Sequence, residues 1–157
     1  MIKKWKYGVW IISLLISYVI FMIMEIGTAD PSSSHGNRNP FLILLFMLWP
    51  VIFIFYYLTT DITARFLLQK KSNILNAAIL VCSLLAGGIL YFLIRTKASA
   101  VINALEKSSN EAYIQGLNQF TNSIYFNHYT FLLTVILCIM LGSGISFLAT
   151  KFKSNYQ

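Results

Sequence analysis

The apolar residues of this chain fall into four long runs without a charged side chain. The charge-free windows are Tyr7–Met24 (18 residues), Asn39–Thr60 (22), Ser72–Ile94 (23) and Tyr129–Thr150 (22). About 20 apolar residues cross a hydrocarbon core as helix, and the runs lack the alternation of a membrane β-barrel. The pattern predicts an all-α integral membrane protein whose four transmembrane helices form a bundle. Their expected positions are about residues 7–26, 40–60, 74–94 and 129–150. The i,i+4 spacing of Asp61 and Arg65 predicts that the loop from Asp61 to Lys71 is a helical extension of the second span.

Composition supports a membrane protein and leaves no room for a separate soluble domain. Hydrophobic residues make up 57% of the 157 residues and charged residues only 11%, with a mean hydropathy of +0.69. Soluble domains are typically about 45–50% apolar. We therefore expect one polytopic membrane domain over residues 1–157. The frequent use of Ile, Phe, Asn and Lys, with few Ala, is compatible with an AT-rich bacterial genome and favours a bacterial source.

The charged residues predict the orientation of the spans. Eight cations flank the ends that lie on the side of the termini: Lys3, Lys4, Lys6, Arg65, Lys70, Lys71, Lys151 and Lys153. The opposite side has four: Arg38, Arg95, Lys97 and Lys107. We expect the protein to lie in the plasma membrane, and the positive-inside rule then predicts that both termini face the cytoplasm. The cations behind the net charge of +7 flank the apolar segments in small groups. We therefore expect the lipid bilayer to be a partner and nucleic acid not to be one.

The first span also has the basic start of a signal peptide, and Gly27-Thr28-Ala29 resembles a cleavage site. Its 18 uncharged residues exceed the ~7–15 of a typical h-region, and Glu25 lies close to the possible cut. We expect a retained helix.

The connection between spans three and four is long enough to hold a further helix. From about residue 98 to 123 its apolar residues recur mainly at spacings of three, four and seven, which predicts an amphipathic helix on the outer side. Such a helix either lies on the membrane surface or packs over the bundle, and it is either an ordinary connector or a docking surface. The expected partner contacts are Leu105, Tyr113, Leu117 and Phe120.

Small residues recur along spans three and four. Expected packing residues are Ala78, Cys82, Ala86, Gly87, Cys138, Gly142 and Ser146. Such stripes allow close approach of helix backbones in lipid, so we expect spans three and four to pack on each other. The two cysteines lie at similar depth, but buried thiols without a Cys-x-x-Cys pair are expected to be reduced and to serve packing.

No set of residues predicts an enzyme. Ser143 between two glycines has no His, Lys or acid within the spans to act as its base. His35 and His128 lack metal-ligand spacing, so we expect neither a metal nor another cofactor. Glu25, at the outer end of span one, is expected to pair with Arg95 or Lys97.

Taken together, the features indicate a small multi-pass protein of the bacterial plasma membrane without enzymatic activity. The expected function is that of an accessory, regulatory or immunity-type subunit that binds another membrane protein or a second copy of itself. The alternative is a transport or permease subunit that forms a path only as an oligomer.

Overall fold

The computed structural model describes residues 4–29, 39, 41–107, 117 and 119–154, with side chains described as far as Lys151. Five helices make up nearly all of the described chain, which contains no β-strand: α1 (Lys4–Ile26), α2 (Phe41–Lys70), α3 (Asn73–Lys107), α4 (Asn122–Tyr125) and α5 (His128–Ser154). Four helical stretches are long and apolar enough to cross a membrane; the fourth runs from α4 into α5, over Asn122–Lys151. The sequence-based prediction of an all-helical chain with four candidate spans is confirmed.

Two of the long helices continue well past the predicted spans. Helix α2 runs to Lys70 and α3 to Lys107, because neither extension contains a glycine or a proline. The turn between them is sharp: Lys71 adopts a left-handed φ of 51°, a common way to end a helix. The Ser72 hydroxyl then accepts a hydrogen bond from the Leu75 backbone N–H at 3.2 Å and caps the start of α3.

Helix α5 makes the most extensive contacts, packing along both α2 and α3, while α1 packs mainly along α2. Aromatic rings fill the junction of α1, α2 and α5. Phe55 and Phe131 stack with ring centroids 5.7 Å apart, and Phe21 meets Phe131 edge-on at 5.3 Å. A neighbouring cluster contains Ile20, Met24 and Ile52, all nearly inaccessible. These apolar contacts place the ends of α1 beside charged groups on the other helices.

The predicted amphipathic helix over residues 98–123 is not confirmed. Residues 98–107 continue α3, whereas Leu117 lies in a bend and residues 119–121 form a turn before α4. The helical spacing of apolar residues over 98–107 thus belongs to the end of α3, which is continuous with the third span. Residues 108–116 and 118 of the predicted helix lie outside the described residues.

Candidate functional site

An ionic cluster joins α1 to α2 at one end of the spans, here named the Asp61 end. Asp61 accepts a hydrogen bond from Lys6 Nζ at 2.9 Å and another from Arg65 Nε at 2.6 Å. One turn deeper, Trp10 Nε1 donates to Thr59 Oγ1 at 2.9 Å. The Asp61 carboxylate therefore pairs with one cation from each helix, and the Trp10 indole donates a hydrogen bond to the Thr59 hydroxyl within the same contact.

Next to this cluster, α5 approaches α2 more closely than a side chain would permit. A Cβ atom built on Gly142 would lie 2.7 Å from the Thr60 carbonyl oxygen and 2.8 Å from Thr63 Cβ. Ser146, one turn further along α5, is also buried. Small residues thus provide close helix packing here, and the partner of Gly142 is α2.

A second ionic cluster lies at the opposite end of the spans, here named the Glu25 end. Lys97 Nζ of α3 donates to Glu25 Oε1 at the end of α1. His128 Nδ1, at the start of α5, lies 3.8 Å from Glu25 Oε2. The predicted ion pair of Glu25 is therefore made with Lys97 rather than with Arg95, and one carboxylate connects three helices.

Buried asparagines make hydrogen bonds at α4 and at the start of α5. Asn127 is fully buried, and its Oδ1 accepts hydrogen bonds from the backbone N–H groups of Tyr129 and Thr130 at 2.9 and 3.0 Å. It thereby caps α5. Asn39 Nδ2 donates to Asn122 Oδ1 at 2.6 Å, and the Ala29 N–H donates to the Gln119 carbonyl oxygen at 2.9 Å.

Along α3, the contact with α5 is shifted by one position from the predicted stripe. Ala78 and Cys82 are exposed, Ala86 and Gly87 are half-buried, and Ser83 is buried. One residue rotates a helix face by about 100°, so the stripe read from the sequence was only partly the contact face. On α5, Cys138 is buried as expected.

Asn76 provides the polar part of the α3–α5 contact. With its amide oriented to match its neighbours, Nδ2 donates to the Ser143 carbonyl oxygen and Oδ1 accepts from the Phe147 N–H, each at 3.2 Å. A buried amide satisfied on both sides defines the register of two helices more strictly than apolar contacts do.

The residues expected to contact a partner do not form one surface. Leu105 and Phe120 are fully buried within the chain, so neither side chain is available to a partner in this structure, whereas Leu117 is exposed. Tyr113 lies outside the described residues. Burial against the chain itself accounts for Leu105 and Phe120.

Helix α3 is the least covered of the four spans among the described residues. Only 11% of its most hydropathic window is buried, compared with 22–28% for the other three spans. Large apolar side chains on its uncovered surface, such as Val81 and Leu85, alternate with small ones, and a Cβ atom on Gly88 would have nothing within 4 Å.

Sequence reasoning missed the polar side chains of α2 and α3 that make these contacts. The i,i+4 spacing of Asp61 and Arg65 indicated their pairing, but Thr59 and Asn76 carry no signal of their partners, because that pairing depends on how helices distant in sequence are rotated. The run Thr59-Thr60-Asp61-Ile62-Thr63 could have drawn attention, since three threonines beside an acid at the end of a span offer several hydrogen-bonding groups.

The described residues contain no group of three or more His, Cys, Asp or Glu side chains able to hold a metal ion. Comparison with protein-family models, with curated proteins and with solved structures finds no match.

Proposed function

We propose that this protein is an accessory, regulatory or immunity-type subunit of the bacterial plasma membrane that acts by binding another membrane protein through α3. The observation that carries the proposal is the uncovered apolar surface of α3. The most hydropathic window of this span is 11% buried, compared with 22–28% for the other three spans.

The chemistry of the uncovered surface suits a transmembrane helix as the partner. Ala77, Ala78, Cys82 and Gly88 are exposed on α3. Small residues let a second backbone come close, and van der Waals packing drives helix association where lipid removes the hydrophobic effect. The neighbouring Leu85 would contribute apolar contact area.

The proposed arrangement is a four-helix bundle with both termini in the cytoplasm. The Asp61 end then faces the cytoplasm, where its surplus of lysine and arginine agrees with the positive-inside rule. The ionic clusters at the two ends support the bundle, because each ties α1 to another span. In this arrangement α3 lies at the periphery, and α5 separates it from much of α2.

Site-specific photocrosslinking in living cells tests the proposal. A photoreactive amino acid replaces Leu85 on α3 or, as the control, Phe46 on α2, which is 85% exposed. We expect a protein adduct from position 85 only, because only that position is expected to face the partner. Adducts to lipid alone at both positions, or the same protein adduct at both, would contradict docking through α3.

The second candidate is an oligomeric transport subunit. Its support is limited to polar groups inside the spans: the Oγ atoms of Ser17 and Ser143 are buried within one copy and have no hydrogen-bond partner among the described residues. The same experiment separates the candidates, because a ladder of self-crosslinked oligomers from position 85 would favour the transport subunit and a single foreign protein would favour the accessory subunit.

A further inference from the structure

A polar groove lies on α3 just beyond its membrane span, at the Glu25 end. Its volume is about 460 Å³, and its lining consists of Phe92, Arg95, Thr96, Ser99, Ala100 and Asn103. These residues recur at spacings of three and four, so they share one face of the helix. The volume falls within the range of small-ligand sites.

Within the part of the chain that the structure describes, no acidic group compensates the positive charge that Arg95 gives this groove. Among the described residues no hydrogen bond or ion pair involves its guanidinium group, which is exposed. The neighbouring cation, Lys97, is already paired with Glu25. A free guanidinium is therefore available, and its planar set of donors matches the oxygens of a phosphate.

The depth of Arg95 matches the position of lipid phosphates. The third charge-free window, Ser72–Ile94, is centred on Ser83. Arg95 follows twelve residues later, about 18 Å along the helix at 1.5 Å per residue, while the hydrocarbon core extends ~15 Å from its centre. The guanidinium thus begins a few ångströms outside the hydrocarbon.

The groove also presents its chemistry in the order found in a phospholipid. Phe92 is 68% exposed on the hydrocarbon side, Arg95 and Thr96 follow at phosphate depth, and Ser99 lies one turn further out with a hydroxyl group. Acyl chain, phosphate and polar headgroup would meet these residues in turn.

We propose that this face of α3 binds an anionic phospholipid with a hydroxyl-bearing headgroup, with Arg95 contacting the phosphate. The proposal does not rest on the accessory function, because it needs no protein partner. It commits to a lipid rather than a soluble phosphate compound, since the apolar wall formed by Phe92 continues into the span.

The test measures lipid retention by native mass spectrometry of the purified full chain in mild detergent. The probes are phosphatidylglycerol and phosphatidylcholine, added separately, and glycerol 3-phosphate as a soluble competitor. The variant is Arg95→Gln, and the matched control is Lys107→Gln, which removes an exposed cation further along the same helix, outside the groove.

We expect the wild type and Lys107→Gln to retain phosphatidylglycerol in preference to phosphatidylcholine, and Arg95→Gln to lose about tenfold in occupancy, as for one charge-assisted contact. Arg95→Lys should keep part of the affinity, because it keeps the charge but loses the planar donors. Circular dichroism of each variant establishes that the fold is intact.

Three results would overturn the proposal. Equal loss in Arg95→Gln and Lys107→Gln would show attraction by overall positive charge. Equal retention of both lipids would show that the groove does not select an anion. Displacement by excess glycerol 3-phosphate would assign the site to a soluble phosphate compound. None of these results depends on the crosslinking from position 85, so the two proposals fail separately.

Discussion

Replacing Gly142 by alanine should separate α2 from α5, although it adds only one methyl group. The new Cβ would lie 2.7 Å from the Thr60 carbonyl oxygen and 2.8 Å from Thr63 Cβ. The first of these atoms belongs to the backbone and cannot rotate away, so the helices must move apart. Overpacking of this kind typically costs about 1–3 kcal/mol.

The control is Gly144→Ala, two residues along the same helix, where an added Cβ would have no atom of the described residues within 4 Å. Both changes raise helix propensity by roughly 0.5–1 kcal/mol, so the difference between them isolates the steric cost at the contact. We expect the free energy of unfolding of Gly142→Ala to be lower than that of Gly144→Ala by about 1–3 kcal/mol.

Unfolding in mixed micelles, with sodium dodecyl sulfate as the denaturant and circular dichroism as the signal, measures this difference. The reasoning would be refuted if Gly142→Ala unfolded at the same or a higher dodecyl sulfate fraction than Gly144→Ala. That result would mean that α5 does not approach α2 at Thr60.

Three further predictions use the same purified protein. Glu25→Gln should lower the free energy of unfolding by about 1–2 kcal/mol, between the values for exposed and buried ion pairs, because Lys97 loses its partner; no change in the unfolding midpoint would contradict the ionic link. Asn127→Ala should cost about 1–2 kcal/mol by removing the cap of α5, measured in the same titration, and a neutral effect would show that the cap is not made. N-ethylmaleimide should modify Cys82, which is exposed, faster than Cys138, which is buried. Mass spectrometry of Cys138→Ser and Cys82→Ser, each of which retains one of the two thiols, measures the two rates separately. Equal rates would contradict the packing of α5.

Hydropathy alone predicted the helical class and the four candidate spans, because the need for a continuous apolar segment leaves a signal at every position of the span. Hydropathy did not predict where α3 ends outside the span, whereas the i,i+4 spacing of Asp61 and Arg65 indicated the extension of α2 to Lys70. Helix α3 continues to Lys107 because its polar extension contains no helix breaker, and hydropathy carries no information about helix formation in water.

The rotation of the helices about their axes was predictable only in part. Cys138 and Gly142 mark a true contact face on α5, yet Gly142 packs against α2, and on α3 the exposed Cys82 lies next to the buried Ser83. In a soluble protein the buried face is more apolar than the exposed face, whereas lipid accepts apolar side chains on every face. The sequence therefore lacks the contrast that would distinguish a helix contact from a lipid contact.

The polar contacts between helices were also predictable only in part. The pairing of Glu25 with a cation of span three was expected from charge and depth, and Lys97 meets it. Lys6 and Asp61, by contrast, are 55 residues apart in sequence, and nothing local connects them. Their pairing follows from the way α1 packs along α2.

The placement of the chain in the membrane is the central claim, since both the α3 docking surface and the lipid groove depend on it. Labelling of intact cells with a membrane-impermeant maleimide tests it directly, in a Cys82→Ser and Cys138→Ser background that carries either Ala104→Cys or Gln69→Cys. Both positions are exposed, the first on the extension of α3 and the second near the end of α2. The account predicts that Ala104→Cys is labelled in intact cells and that Gln69→Cys is labelled only after the membrane is permeabilised. Labelling of both positions in intact cells, or of Gln69→Cys alone, would contradict it.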